Sequence, residues 1–284
     1  MGTLNPDDVL ATVQLALAED VGAGDITSLA TVPDHTTATA VMVAREPLVV
    51  AGLPVAEAVF HEVAPALEIT CRAADGDRLA AEQPLMRITG AARAILTAER
   101  VALNFLQRLS GVATLTRQYV DAIQGAHATV LDTRKTTPGL RRLEKYAVQC
   151  GGGQNHRFGL FDLVMIKDNH LAALRDALPN PVAAAVQRAR ERYPGVRVEV
   201  ETDTLEQVEL ALEAGADVVL LDNMTLIQLR LAVQKARGRA LTEASGGVNL
   251  GTVRAIAETG VDFISVGALT HSARAVDIAL DFGP

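Results

Sequence analysis

Charged residues close five of six short apolar runs in the second half of this 284-residue chain. The runs are 128–133, 162–167, 196–201, 217–221, 240–244 and 262–266. Their ends read Asp132-Thr133-Arg134-Lys135, Lys167-Asp168-Asn169-His170, Glu199-Val200-Glu201, Asp222-Asn223, Glu243-Ala244-Ser245-Gly246-Gly247 and Gly267-Ala268. Buried charge costs several kcal/mol unless it is paired or binds something. Five charged ends converging on one face therefore point to a functional site rather than to capping. The signs divide. Bases come from the first two runs and acids from the next three. Glu199 and Glu201 alternate with Val198 and Val200, so their carboxylates share a face. The basic half suits a carboxylate substrate, because arginine forks match planar anions. The acidic half suits a divalent metal or sugar hydroxyls. Ser245-Gly246-Gly247, followed on the next run by Val266-Gly267-Ala268, fits a phosphate site built from the last two strand-helix loops.

The basic half belongs to a longer island. Between Arg134 and Lys167 stand seven Lys or Arg against two acids, in a chain of net charge -8. Such an island implies a local anion site rather than a polyanion surface. Only four residues are lysine, and Lys135 and Lys167 both fall at run ends, a hint that an ammonium is needed there. His156 and Arg157 follow the Gly151-Gly152-Gly153 run, and His156 reads equally as a ligand contact or a structural donor. His170 and His271 read as caps, and Cys150 as a packed thiol.

The elements that must position these residues have a plain texture. After residue 127, apolar runs alternate with helical patterns at 181–193, 204–214, 225–236 and 249–259, the signature of parallel strands with helical crossovers. No GxGxxG follows an early strand, so a barrel is preferred to a dinucleotide fold. A last helix is expected over 271–281. Asn5-Pro6-Asp7-Asp8 starts a helix, and EDVGAGDITS reads as a turn in preference to a loop near a metal or substrate. Asp75-Gly76-Asp77 turns between two strand-like runs. Residues 91–109 form a helix whose apolar band is interrupted by Glu99 and Arg100, by themselves read as an internal salt bridge or a snorkelling arginine in preference to an arginine presented to an anion. Ser110-Gly111 then punctuates, and a second helix runs to Gly125. Residues 1–110 thus read as a supporting α+β domain. Composition excludes other classes. With no Trp, three Tyr and a pI near 5.3, nucleic acid is not the partner. Two cysteines make no disulfide framework, so a cytoplasmic location is expected. No secretory leader and no transmembrane-length run is visible.

Taken in order, LTAERVALNFLQRLSGVAT, DTRKTTPGLRRLEKYAV, GGGQNHRFGL, IKDNH, VEVET, LLDN, EASGG and VGALTHS resemble the quinolinate phosphoribosyltransferase family over nearly the whole chain. Gln149 stands where a basic residue is common and Ala244 where Val is usual, neither at a position implied to touch substrate. The resemblance implies an α/β fold: an N-terminal sandwich-like domain (1–110, with the C-terminal helix 271–284 packing back on it) and an incomplete, six- or seven-stranded α/β barrel (111–270). It implies transfer of phosphoribosyl from phosphoribosyl diphosphate to quinolinate, with decarboxylation, Mg²⁺ as cofactor, in a homodimer or higher oligomer. Arg100 would then reach a substrate carboxylate of the partner. Arg134, Lys135, His156, Arg157 and Lys167 would form the quinolinate pocket. Glu201 and Asp222 would lie by the phosphoribosyl diphosphate and Mg²⁺, directly or indirectly. With Lys135 and Lys167 they make the catalytic set. Ser245, Gly246, Gly247, Val266, Gly267 and Ala268 would hold phosphate. A nicotinate-specific transferase would need fewer cations, and a non-catalytic anion-binding relative would have lost part of the basic pocket.

Overall fold

The computed structural model describes residues 4–283; residues 1–3, part of the stretch expected to hold no leader, and Pro284 lie outside them. The chain divides into two compact units. One comprises Met1–Arg117, Thr136–Gly152 and Leu269–Pro284, the other Gln118–Lys135 and Gly153–Ala268. In chain order, the first unit holds α1 (Pro6–Val21), α2 (Ile26–Thr31), β1 (Thr37–Ala44), β2 (Leu48–Val49), α3 (Leu53–Val63), β3 (Glu68–Cys71), β4 (Arg78–Leu79), β5 (Pro84–Ala91) and most of α4 (Ala92–Ala122). The second unit takes the end of α4 and then β6 (Thr129–Leu131), and α5 (Arg141–Cys150) belongs to the first. The second resumes with β7 (Val164–Ile166), α6 (Asp168–Ala172), α7 (Pro181–Arg192), β8 (Val198–Thr202), α8 (Leu205–Glu213), β9 (Val218–Asp222), α9 (Leu226–Ala236), β10 (Leu241–Ser245), α10 (Val253–Ala257) and β11 (Phe263–Ser265). Then α11 (Ala268–His271) and β12 (Ile278–Gly283) close the chain.

In the first unit an antiparallel sheet runs β12-β1-β5-β3. Its inner face buries Ala40, Met42, Met86 and Ile88. Three local expectations change. The turn at EDVGAGDITS ends in a helix, because the Asp25 carboxylate accepts the Ser28 N–H at 3.0 Å and caps α2. Ser110-Gly111 does not break the helix, and α4 runs unbroken for 31 residues. Gly111 is there for packing: a Cβ on it would collide with the Arg274 carbonyl. The final segment, expected as a helix, is the strand β12. It pairs with β1 from Thr39↔Gly283 to Ala44↔Ile278. The ladder and the alternation of Val276, Ile278, Leu280 and Phe282 with more polar neighbours account for it.

The sheet of the second unit is wholly parallel, ordered β6-β11-β10-β9-β8-β7. That order is the chain order taken cyclically, with the last strand back beside the first. A doubly wound sheet would reverse direction at a switch point instead. This is an incomplete α/β barrel, open between β6 and β7. One bridge, Leu131↔Gln154, begins to fill the opening. The β8–β9–β10 register sets Glu201 beside Leu220, Leu220 beside Glu243, and Asp222 beside Ser245. Glu199, Glu201, Leu220, Asp222, Glu243 and Ser245 therefore share one face. Val200, Val219, Leu221 and Ala244 are buried on the other.

Candidate active site

The carboxyl ends of the second unit's strands collect the charges anticipated from sequence. After β6 come Arg134, half-buried, and Lys135, exposed. The Lys135 N–H donates to Thr133 Oγ1 at 3.1 Å. Met165 of β7 pairs with Glu199 of β8, and two residues on, the Lys167 ammonium is ion-paired with Glu201. Opposite charges thus meet at the border of the basic and acidic halves. On β9, Asp222 Oδ2 accepts from Asn223 Nδ2 at 2.7 Å. Asn223 itself sits at φ 54°, and its N–H donates to the Ser245 carbonyl at 2.9 Å. A Cβ on Gly246 would collide with the Asn223 side-chain oxygen, and Gly246 and Gly247 adopt φ of 90° and 62°. Only glycine takes such a double left-handed turn without strain, and its backbone N–H groups are open to an anion. The second glycine loop starts at Val266, whose N–H donates to Leu131 O at 2.9 Å.

His156 has a different setting from a surface ligand. Its side chain is 8% exposed. Nε2 lies 3.1 Å from Glu199 Oε2 and 3.4 Å from Glu243 Oε2, and Nδ1 accepts the Arg157 N–H at 2.6 Å. Its own N–H donates to Asp132 Oδ1 at 2.9 Å. Burial pulls the imidazole pKa down, but the two glutamates outweigh it and hold it up at about 10. Burial pushes Glu199 up to about 7, with Glu243 adding to the rise. The cluster therefore keeps a proton between ring and acids. Arg157 is half-buried, reaching Leu163 O at 3.3 Å and Met165 Sδ at 3.6 Å. Burial, and then the like charge of Arg134, lower its pKa. Sequence reasoning saw Glu199 and Glu243 as strand-end acids but missed that both turn toward His156. Their alternation with valine and alanine was the available signal.

The seven-cation island is divided. Arg134, Lys135, Arg157 and Lys167 belong to the second unit; Arg141, Arg142 and Lys145 ride on α5 in the first. There Arg142 pairs with Asp8 at 3.2 Å, and Lys145 is buried. Arg100, also in the first unit, is exposed on α4 and has no ion-pair partner among the described residues. The internal salt bridge that its place on the helix first suggested is not made. His170 caps as expected, its Nδ1 accepting the Lys167 N–H at 2.9 Å. Burial pushes the Cys150 thiol up to about 12, which makes it a packed, unreactive group.

Residues 25–110 match the model of the quinolinate phosphoribosyl transferase N-terminal domain, and residues 112–281 that of its C-terminal domain. The chain belongs to the quinolinate phosphoribosyltransferase family. Within it, the chain is 48% identical over 276 residues to the nicotinate-nucleotide pyrophosphorylase [carboxylating] of Mycobacterium leprae, covering 95% of each. It is 44% identical to the chloroplastic enzyme of that name from Arabidopsis thaliana, covering 96% of this chain and 82% of the relative. The structure of the nicotinate-nucleotide pyrophosphorylase from Francisella tularensis superposes with a TM-score of 0.93 at 40% identity, covering 99% of this chain and 98% of that one.

Mg²⁺ fits the acidic half chemically. Glu201 and Asp222 offer only oxygen donors, are half-buried, and sit on one face of adjacent strands. Mg²⁺ is typically held by one or two carboxylates together with substrate phosphates and water.

Proposed function

We propose that this protein transfers phosphoribosyl from phosphoribosyl diphosphate to quinolinate with decarboxylation, releasing nicotinate mononucleotide, diphosphate and CO₂ for NAD biosynthesis. The observation that carries the reading is the meeting of unlike halves at the strand ends. Arg134, Lys135, Arg157 and Lys167 stand on the β6–β7 side, and Glu201 and Asp222 on β8 and β9, joined by the Lys167–Glu201 pair. Two adjacent carboxylates on a pyridine need several fixed cations, which the first half supplies. The ring nitrogen attacks ribose C1 as diphosphate departs, so positive charge develops on the sugar. Glu201 and Asp222 are placed to stabilise that charge and orient the ribose. The glycine turns at 245–247 and 267–268 receive phosphate oxygens on backbone N–H groups, while Val266, expected to join them, spends its N–H on Leu131 O at 2.9 Å. Mg²⁺, bound by Glu201 and Asp222 directly or through water, would neutralise the leaving diphosphate. Glycosylation leaves the ring nitrogen positive. The electron pair freed by loss of the adjacent carboxylate is stabilised there, and a proton then fills that carbon. Lys135 and Lys167, at the ends of β6 and β7, are the two ammonium groups assigned to assist this step.

The same reading extends to assembly and location. A homodimer with Arg100 serving the partner's site accounts for an exposed arginine with no ion-pair partner among the described residues. A cytoplasmic location accords with Cys71 and Cys150 both being free thiols. No helix among the described residues is long and apolar enough to cross a membrane.

The test mixes purified protein, Mg²⁺ and phosphoribosyl diphosphate with either quinolinate or nicotinate and follows nucleotide and CO₂. Nucleotide and CO₂ from quinolinate alone is the expected result. Nucleotide from nicotinate alone would overturn the substrate, and quinolinate binding without turnover would make this a non-catalytic relative.

A further inference from the structure

Glu199 and Glu243 take no part in the reaction as written, yet they are 0% and 2% exposed. Neither Glu199 oxygen, nor Oε1 of Glu243, has an aligned hydrogen-bond partner among the described residues. A buried carboxylate without compensation costs several kcal/mol, so two together require a counter-charge. Two kinds are open on spacing alone, because the oxygens and His156 Nε2 lie within 4.8 Å of one another. One is a metal ion and the other is a proton, shared between the Nε2 side of the ring and the acids that face it. The ring decides. Its Nδ1 accepts the Arg157 N–H, so the ring hydrogen sits on Nε2 and points between the two acids. A ligating histidine has the reverse arrangement, with a bare nitrogen on the metal and the other N–H donated outward.

We propose that Glu199 and Glu243 are positioning residues, which clamp the His156 ring and through it set the direction of Arg157 in the dicarboxylate pocket. The link is short. The acids of β8 and β10 fix Nε2, while Asp132 at the end of β6 fixes the His156 N–H at 2.9 Å. The ring's far nitrogen then holds the Arg157 N–H, the first atom of the residue that must present its guanidinium. Arg157 and Arg134 repel each other, and Glu199 offsets that repulsion. The same segment is also tied to the β6 strand by the Leu131↔Gln154 bridge, with Asp132 N–H donating to Gln154 O at 3.1 Å and Gln154 N–H to Val130 O at 2.9 Å. Arg157 would then be held in place before substrate arrives, which spares the cost of ordering it on binding.

This inference rests on the quinolinate reading for its substrate but not for its geometry, and the two are tested apart. In ¹⁵N spectra of histidine-labelled wild type, with His156→Ala giving the assignment, the ring should be protonated at Nε2. A ring protonated at Nδ1, alone or as well as at Nε2, overturns the clamp, as does a stoichiometric divalent metal lost in Glu243→Gln. Failure of the wild type to use quinolinate would sink the proposed function and leave that spectrum standing. In kinetics, Glu243→Gln should raise the quinolinate KM about tenfold and shift the phosphoribosyl diphosphate KM less than about twofold. Adding Glu243→Gln to His156→Ala should cost no more than about a further twofold, because the ring through which the acid acts is already gone. Multiplicative effects in the double variant, or both KM values rising together, would mean a general structural lesion and would overturn the assignment.

Discussion

A side chain's neighbours decide whether a charged residue at a strand end does chemistry or supports it. Glu201 and Glu199 are two residues apart on one face, yet the first pairs with the half-exposed Lys167 and the second with the enclosed His156. The same holds for the glycine turn proposed to bind phosphate. Gly246 is fixed by Asn223, whose own left-handed backbone brings its amide across the end of β10. Gly246→Ala must place a methyl where that amide lies and hold an alanine at φ near 90°. Either the turn or Asn223 has to move, and Asn223 donates to Asp222 at 2.7 Å. We expect the KM for phosphoribosyl diphosphate to rise about tenfold or more with the quinolinate KM changed much less, since the strain of roughly 1–3 kcal/mol falls on the phosphate turn. Initial rates with each substrate varied in turn would show it, and equal rises in both KM values would place the turn elsewhere than on phosphate.

Elements show where sequence patterns suffice and where they stop. The β-α alternation after residue 127 located all six barrel strands, because each strand is a short apolar run and each crossover helix has its own period. The strand-end charges were legible for the same reason. The break at Ser110-Gly111 was not real, because Gly111 answers to the Arg274 carbonyl, a neighbour from the far end of the chain. His156 was ambiguous because its partners come from β8 and β10, brought together only when the barrel curls. The last strand was misread as a helix, because its short alternation becomes a strand only with β1 as a partner. Outside that ladder it is fastened by two charge clusters. Arg45 reaches Asp281 at 2.5 Å, and Glu46 takes Arg274 at 2.7 Å and the Asp277 N–H at 2.8 Å. The Arg274 hydrogen bonds, and then the Asp277 amide, outweigh burial and hold Glu46 at a pKa of about 2, well under the usual 4.5. A carboxylate with a depressed folded pKa stabilises fully above its unfolded pKa and loses that contribution as pH falls through the folded value. Glu46→Gln should therefore destabilise at pH 7 by about 1 kcal/mol, since Arg274 is largely exposed and solvent screens the pair. That deficit should shrink between pH 4.5 and 2, the two values for this carboxyl. Urea unfolding at pH 7, 4 and 3 checks it; a deficit constant with pH would mean that the glutamine acts through packing rather than charge.

At the scale of the whole molecule, the central proposal is that a complete site needs two copies of the chain. Every other cation assigned to quinolinate sits on the second unit, whereas Arg100 belongs to the first and is exposed there. If Arg100 serves its own chain, Arg100→Ala and Asp222→Ala proteins should both stay inactive when mixed. If it serves the partner, each mixed dimer of a two-fold assembly holds one site with both residues intact, on the subunit that carries Arg100→Ala. Random exchange makes about half of the dimers mixed, with half of their sites restored, so activity should return to about one quarter of wild type. Co-refolding the two variants and measuring turnover decides it, with light scattering to establish that Arg100→Ala still pairs. Recovery to that level could not arise from a site confined to one chain, because neither variant brings a whole set of its own. No recovery from a verified mixed dimer would return Arg100 to its own subunit. Arg100 on α4 would then need a different anion to explain why it projects into solvent.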